Sequence, residues 1–178
     1  AQEPKLKKIF NGKNLNGWKL PPDLTCWTAS SGVLFVKNNA EKKGSNLWTE
    51  KNYQNFIISA DFLMGDGTVD SGIFLRSEND QIQIGISGSL KRDMTGSPYI
   101  PGKGYPVEAK GIAKLLKAKD WNRMKIRAMG PKYTVWLQGK EVMNYKSKSA
   151  KKVGPIGIQL HANKNMSINF RNLLLKEI

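Results

Sequence analysis

Cysteine and histidine are almost missing from this 178-residue chain: it has one of each, Cys26 and His161. No internal disulfide can form, and a metal site built from several His or Cys ligands is not expected. Arginine is scarce beside lysine, 5 against 24, with the cations scattered from Lys5 to Lys176. Arginine is the side chain suited to bidentate reading of guanine and phosphate. Neither a compact basic helix nor an aromatic RNA-binding motif is present, so specific nucleic-acid recognition is not expected. No apolar run approaches the roughly 20 residues that cross a bilayer, and no transmembrane segment is expected. No phosphate-binding glycine loop precedes a helix, and there is no G-x-S-x-G elbow.

What is present is positive charge, formally +15. It reads as a solvated lysine-rich surface, or as attraction to an acidic polymer or anionic cell surface. Hydrophobic residues at 39% and charged residues at 24% are ordinary globular usage and argue against disorder. The length suits one large β domain, taken as a single unit over 1–178. The opening AQEPKLKK resembles the start of a mature secreted chain. A secreted or periplasmic location with a signal peptide removed is the expectation.

Short β-type runs recur with turn residues between them: VLFV (33–36), NFIISADFLM (55–64), SGIFLR (71–76), QIQIGIS (81–87), MKIRAM (124–129), YTVWL (133–137), EVMNY (141–145), PIGIQLH (155–161) and MSINFRNLLLKEI (166–178). This spacing predicts an all-β sandwich or barrel. The segment 107–121 predicts one or two helical turns, since Gly111 interrupts its periodicity. YTVWLQGKEVMNY predicts a hairpin with Gly139 at its tip. In that hairpin Trp136 fits either core packing or a binding face.

Three of the runs carry one aliphatic and one polar face. Ile82 and Ile84 oppose Gln81, Gln83, Gly85 and Ser87; Ile156, Ile158 and Leu160 oppose Gly157, Gln159 and His161; Ile73 and Leu75 oppose Gly72, Phe74 and Arg76. If these strands share a sheet, the aliphatic faces pack inward. The other faces then form a trough floored by Arg76, Gln81, Gln83, Gln159 and His161. Amides suit a sugar because each offers donors and an acceptor, as a hydroxyl does. Glycines 72, 85 and 157 would leave a ligand room to approach the backbone. The same pattern also fits a sheet's water-facing side, and a lone histidine also fits a structural role. The trough strands hold no close carboxylate pair for ordinary retaining glycoside hydrolysis. No cofactor is predicted. A calcium site over 65–70 is conceivable from Asp and backbone oxygens, but a turn fits that stretch better.

IFNGKNLNGW (9–18), SGIFLR, Gln-Ile-Gln-Ile (81–84), DWNRMKIRAMGPKYTVWLQGKEV (120–142), GPIGIQLH (154–161) and INFRNLLLKEI (168–178) together resemble the 3-keto-disaccharide hydrolase family, also described as 3-keto-glucoside 1,2-lyase or 2-hydroxy-glucal hydratase domains. The resemblance implies a concanavalin A-like jelly roll of two antiparallel sheets, related to glycoside hydrolase family 16. It implies a secreted enzyme, hydrolase or lyase, acting on a 3-keto-glycoside by proton abstraction at C2 and elimination at C1. The alternative is a non-catalytic carbohydrate-binding module with the same trough; an oligosaccharide or 3-keto-glycoside is the partner either way. Under the resemblance His161 is the candidate base, and Arg76 with Lys91 or Arg92 the charge facing the enolate. Asp93 and Tyr99 are further proton-handling candidates, while Gln81, Gln83, Gln159 and Trp136 bind substrate. The chain departs from the family's Glu-Val-Gln-Ile-Leu-Asp run, reading Gln81 where a Glu and Ile86 where an Asp is common. Residues 89–106 read either as an ordered structural loop or as the carrier of replacement groups.

Overall fold

The computed structural model describes residues 5–178. The N-terminal residues 1–4, which belong to the stretch read as a mature secreted start, lie outside the described residues. Fourteen strands follow in chain order: β1 (Lys7–Lys8), β2 (Trp18–Lys19), β3 (Trp27–Ser30), β4 (Val33–Lys37), β5 (Ser45–Thr49), β6 (Phe56–Gly67), β7 (Asp70–Leu75), β8 (Gln81–Gly85), β9 (Pro98–Tyr99), β10 (Asn122–Met129), β11 (Lys132–Leu137), β12 (Lys140–Lys146), β13 (Ile156–Leu160) and β14 (Met166–Glu177). One helical turn, α1 (Ile112–Leu115), and one 3-10 turn (Leu24–Cys26) interrupt them. Among the described residues no helix is long and apolar enough to cross a membrane.

The strands form two antiparallel sheets. The first runs β12-β11-β10-β6-β14-β4-β3, with β1 also on β14; the second runs β2-β5-β13-β7-β8-β9. The period-2 patterns decide what each sheet buries. Along β10, Met124, Ile126 and Ala128 are fully buried, whereas Arg123 and Arg127 are exposed. From the second sheet Leu47, Ile73, Ile82, Ile84 and Ile158 enter the same core. Burying one such side chain stabilises the fold by about 1.5–3 kcal/mol relative to exposure, so the inward faces fix the register of each strand. This is the expected all-β, concanavalin A-like sandwich. The β11–β12 hairpin turns at Gln138-Gly139, both at positive φ, as its twist requires.

Three features of the fold depart from the expectations. Strands β1, β2, β3 and β5 carry no strong sequence signal, yet β5 forms part of the sheet that bears the polar face. Trp136 is neither in the core nor on that face. It lies half-exposed on the outer side of the first sheet, where the Lys125 ammonium sits 4.7 Å from its ring centroid. Arg76 is withdrawn altogether. Its backbone takes φ 66 at the end of β7, which breaks the alternation and turns the side chain away from the polar face. Its guanidinium, 2% exposed, donates to the carbonyls of Gln54, Gly130 and Lys151 and packs 5.6 Å from the Phe56 ring centroid. It ties three chain segments together at one end of the sandwich.

Candidate functional site

The three amphipathic strands are neighbours, in the order β13-β7-β8, so their polar faces are continuous. The register places Phe74 opposite Gln81, Gly72 opposite Gln83 and Asp70 opposite Gly85, with Phe74 also opposite Gly157. A cleft of about 480 Å³ opens on this face. Its lining includes Asp70, Gln81, Gln83, Ser87, Tyr99, Tyr105, Gln159, His161 and Lys164.

The glycines of the face admit protein groups, not a ligand. A Cβ at Gly72 would lie 2.2 Å from Gln81 Nε2, so the missing side chain lets that amide cross the sheet. Gln81 Nε2 then donates to Gln159 Oε1 at 2.7 Å. A Cβ at Gly157 would lie 2.7 Å from two atoms of the Trp48 ring. That ring lies over the glycine and stacks on Phe74, centroids 5.1 Å apart. Gly85, at φ 94 and with the Val69 carbonyl 2.2 Å from its virtual Cβ, ends the alternation of β8. The result is an amide pair beside an aromatic strip. Both Gln81 and Gln83 are only 2% exposed, so these amides are not the water-facing side of a strand.

Asp70 is the carboxylate of the cleft, 3% exposed. Gln83 Nε2 donates to its Oδ1 at 2.9 Å, and His161 Nε2 faces its Oδ2 at 3.7 Å. The other imidazole nitrogen, Nδ1, lies 2.7 Å from the Ala162 carbonyl. A carbonyl only accepts, so Nδ1 donates to it, and Nε2 is the ring nitrogen that faces Asp70. On accepting a proton at Nε2, the ring becomes a cation facing a carboxylate. The turn that carries His161 and Lys164 is clamped from below. Asn38 Nδ2 donates to the carbonyls of His161 (2.7 Å) and Lys164 (2.9 Å).

The wall comes from the excursion after β8. Residues 93–99 extend the edge of the sheet, through Gly96 N to Gln83 O and Gln83 N to Ser97 O. This brings Tyr99 and Tyr105 together, ring centroids 5.2 Å apart. Burial pushes the Tyr105 phenol above its ordinary range; the Ser87 hydroxyl opposes this, and Asp70 and Tyr99 reinforce it. Tyr105 therefore keeps its proton at neutral pH and can donate.

Of the residues singled out by sequence, the fold brings Gln81, Gln83, Gln159, His161 and Tyr99 into one cleft. It leaves Arg76, Lys91, Arg92, Asp93 and Trp136 outside its lining. Lys91 and Arg92 are exposed, Arg92 is engaged by Glu108, and Asp93 caps the backbone of Thr95. Asp70, Tyr105 and Lys164 were missed. Asp70 has the parity of Gly72 and Phe74, but the sequence groups it with the turn after NFIISADFLM. The long strand β6 instead runs through Gly67 and β7 begins at Asp70, so Thr68 and Val69 alone connect the two strands. Among the described residues no group of three or more His, Cys, Asp or Glu side chains could hold a metal ion.

A family model described as 3-keto-alpha-glucoside-1,2-lyase-like domain matches residues 5–176. Among solved structures, a protein proposed to be a glycosyl hydrolase from Parabacteroides distasonis is similar over 98% of this chain and 100% of its own, with TM-score 0.75 and 23% identity. A Bacillus licheniformis β-glucanase is similar over 99% of this chain and 100% of its own (TM-score 0.67, 13% identity). The carbohydrate-binding module CBM66 from Bacillus subtilis is similar over 92% and 98% (TM-score 0.60, 14% identity). At these identities the likeness is one of fold. Nothing matches among curated proteins.

Proposed function

This chain belongs to the 3-keto-alpha-glucoside-1,2-lyase-like family, and from that membership we propose that its cleft cleaves a 3-keto-glycoside by proton abstraction at C2 and elimination at C1. The observation that carries this reading is the His161 imidazole. Its Nδ1–H is committed to the Ala162 carbonyl, and its Nε2 is held at the Asp70 carboxylate inside a cleft lined by amides.

Ordinary glycoside hydrolysis uses two carboxyl groups about 5–9.5 Å apart, and Asp70 is the one carboxylate among the described lining residues. A ketone at C3 removes the need for the second. It acidifies the C2 hydrogen, so one base suffices. His161 Nε2 takes that proton and the C2–H electrons pass into the C2–C3 enolate; as the enolate collapses back to the ketone, the C1–C2 double bond forms and the C1–O bond breaks toward the aglycone. The imidazolium, steadied by Asp70, returns its proton to the departing oxygen. Lys164 and the Tyr105 phenol supply positive charge and a donor to the transient C3 enolate oxygen. General-base help is worth about 10²–10⁴-fold, and donors aimed at a developing oxyanion a comparable or larger factor. The half-exposed Gln159, backed by the buried Gln81 amide, holds a sugar hydroxyl, and the half-exposed Trp48 ring, backed by Phe74, covers the next ring. Family membership likewise supports secretion or periplasmic residence as the working location.

A second reading has its own observation. The amide pair and aromatic strip suffice to bind a sugar without chemistry, as in a carbohydrate-binding module. The experiment that separates the two mixes the protein with 3-keto-glucosides and with the parent glucosides. Release of aglycone or of an unsaturated sugar from the 3-keto form alone, lost in His161→Ala, supports catalysis. Binding without release supports the module.

A further inference from the structure

We propose that the outer face of the first sheet, on the side of the sandwich away from the cleft, is a binding surface for an acidic polysaccharide, carboxylated or sulfated. Much of the +15 charge has no part in the cleft, and the register shows where some of it gathers. One cross-strand row reads Lys176, Ile57, Arg127, Thr134, Asn144. The next row toward the sheet's end puts Lys132 directly opposite Lys146. The row on the other side runs Lys8, Leu174, Ser59, Lys125, Trp136 and Glu141, two cations and one exposed carboxylate at its far end.

These cations are not neutralised from within. Among the described residues Lys8, Lys125, Arg127, Lys132, Lys146 and Lys176 form no ion pair. The buried carboxylate of the face, Asp61, is taken by Arg123 and Arg171. Like charges directly opposite across a strand pair destabilise a sheet. Lys132 and Lys146 keep that arrangement on exposed positions, where a bound anion would relieve it. Alternate residues on a strand are about 6.8 Å apart and neighbouring strands about 4.8 Å apart. The face is therefore a grid of cations that a linear polymer with regularly repeated negative groups can cross.

The same face discriminates between polyanions. Single-stranded nucleic acid is held by free aromatic rings on which bases stack. Here the Trp136 ring already carries Lys125 at 4.7 Å and the Trp121 ring carries Arg171 at 4.0 Å. An anionic membrane asks for a stripe of protruding apolar side chains beside the charge; here Met129, opposite Lys132, is exposed, whereas Ile57 and Leu174 are only half-exposed between their neighbours. Hydroxyl and amide groups interleave with the cations instead, as with Thr134 and Asn144, which are hydrogen-bonded to each other at 2.8 Å. Cations set among hydroxyl-matching groups fit a charged sugar chain. The proposal goes beyond the cleft's reading and does not depend on it.

The test measures binding of the whole chain to polygalacturonate and to dextran sulfate, with neutral dextran, single-stranded DNA and phosphatidylserine vesicles as comparisons. Two triple variants are compared: Arg127→Ser, Lys132→Ser, Lys146→Ser on the face, and Lys114→Ser, Lys117→Ser, Lys119→Ser away from it. Both remove three charges from exposed positions, and thermal unfolding checks that each is folded. The expected result is binding to an acidic glycan, weakened about tenfold or more by the face variant and by raised salt, and left near wild type by the control. Equal loss in both variants means bulk charge alone and overturns the proposal. So does tighter binding to DNA or vesicles than to either glycan, or no binding to the acidic glycans.

Discussion

Replacing Gly157 by alanine tests the packing of the aromatic strip beside the cleft. Gly157 is not at positive φ, so alanine suits its backbone. With nothing in the way the change would stabilise by about 0.4–1 kcal/mol through the unfolded chain. The Trp48 ring is in the way: the new methyl would sit 2.7 Å from Cε3 and Cζ3 and 3.0 Å from Cδ2. Overpacking of this kind costs about 1–3 kcal/mol, and pushing the ring off Phe74 forfeits a further 0.5–1.5 or so of stacking. In a chain of this size each kcal/mol is worth about 2–4 °C in melting temperature. The decisive form is a double-mutant cycle read by chemical denaturation. In a Trp48→Ala background the clash disappears, and Gly157→Ala should become neutral or mildly stabilising, giving a coupling of roughly 1.5–4.5 kcal/mol. An equal cost in both backgrounds would refute the argument that the glycine exists to seat the tryptophan.

Other consequences follow from single contacts. Asn38→Ala should lower kcat on a 3-keto-glucoside more than it raises KM, because the turn that aims His161 and Lys164 loses its two donors; unchanged kcat would contradict this. Asp61 lies below its ordinary 3.8: burial raises it, but the hydrogen bonds from Arg123 and Asn172 and the charges of Arg123 and Arg171 outweigh that. Its stabilisation is thus present above pH 3.8 and lost as pH falls through the lower, folded value. Asp61→Asn should remove that part of the acid transition, seen as a flatter melting temperature against pH. Tyr133 donates to the buried Asp80 carboxylate, and burial, then that bond and the Asp80 charge, raise its phenol far above its ordinary range. Tyr133→Phe should cost about 1–3 kcal/mol for the lost donor, measured by urea unfolding.

The fold was legible because the inward faces follow a strict period of two. QIQIG, GIQL and SGIFL each announce one aliphatic face, and all three landed side by side in one sheet. Alternation stops being informative where the backbone leaves the strand. Arg76 has the parity of the polar face, but its positive φ carries it to three carbonyls at the other end of the sandwich. Strand β5 reads Ser-Asn-Leu-Trp-Thr, with a single aliphatic residue and no alternation to follow, so Trp48 and the reason for Gly157 stayed hidden. Asp70 lay beyond sequence reasoning for a different cause, since the length of β6 decides whether the residue belongs to a turn or a strand. Lys164 and Tyr105 reach the cleft through a turn and a loop, where no periodicity exists to follow.

The most direct test of the catalytic account follows a 3-keto-glucoside by nuclear magnetic resonance in deuterium oxide with wild type, His161→Gln and Asp70→Asn. Wild type should release aglycone, with the C2 hydrogen lost before or with cleavage, and the parent glucoside should stay intact. His161→Gln should abolish both events, and Asp70→Asn should slow them. Cleavage of the parent sugar at a similar rate, or release that survives in His161→Gln, would show that the imidazole beside Asp70 is not the base.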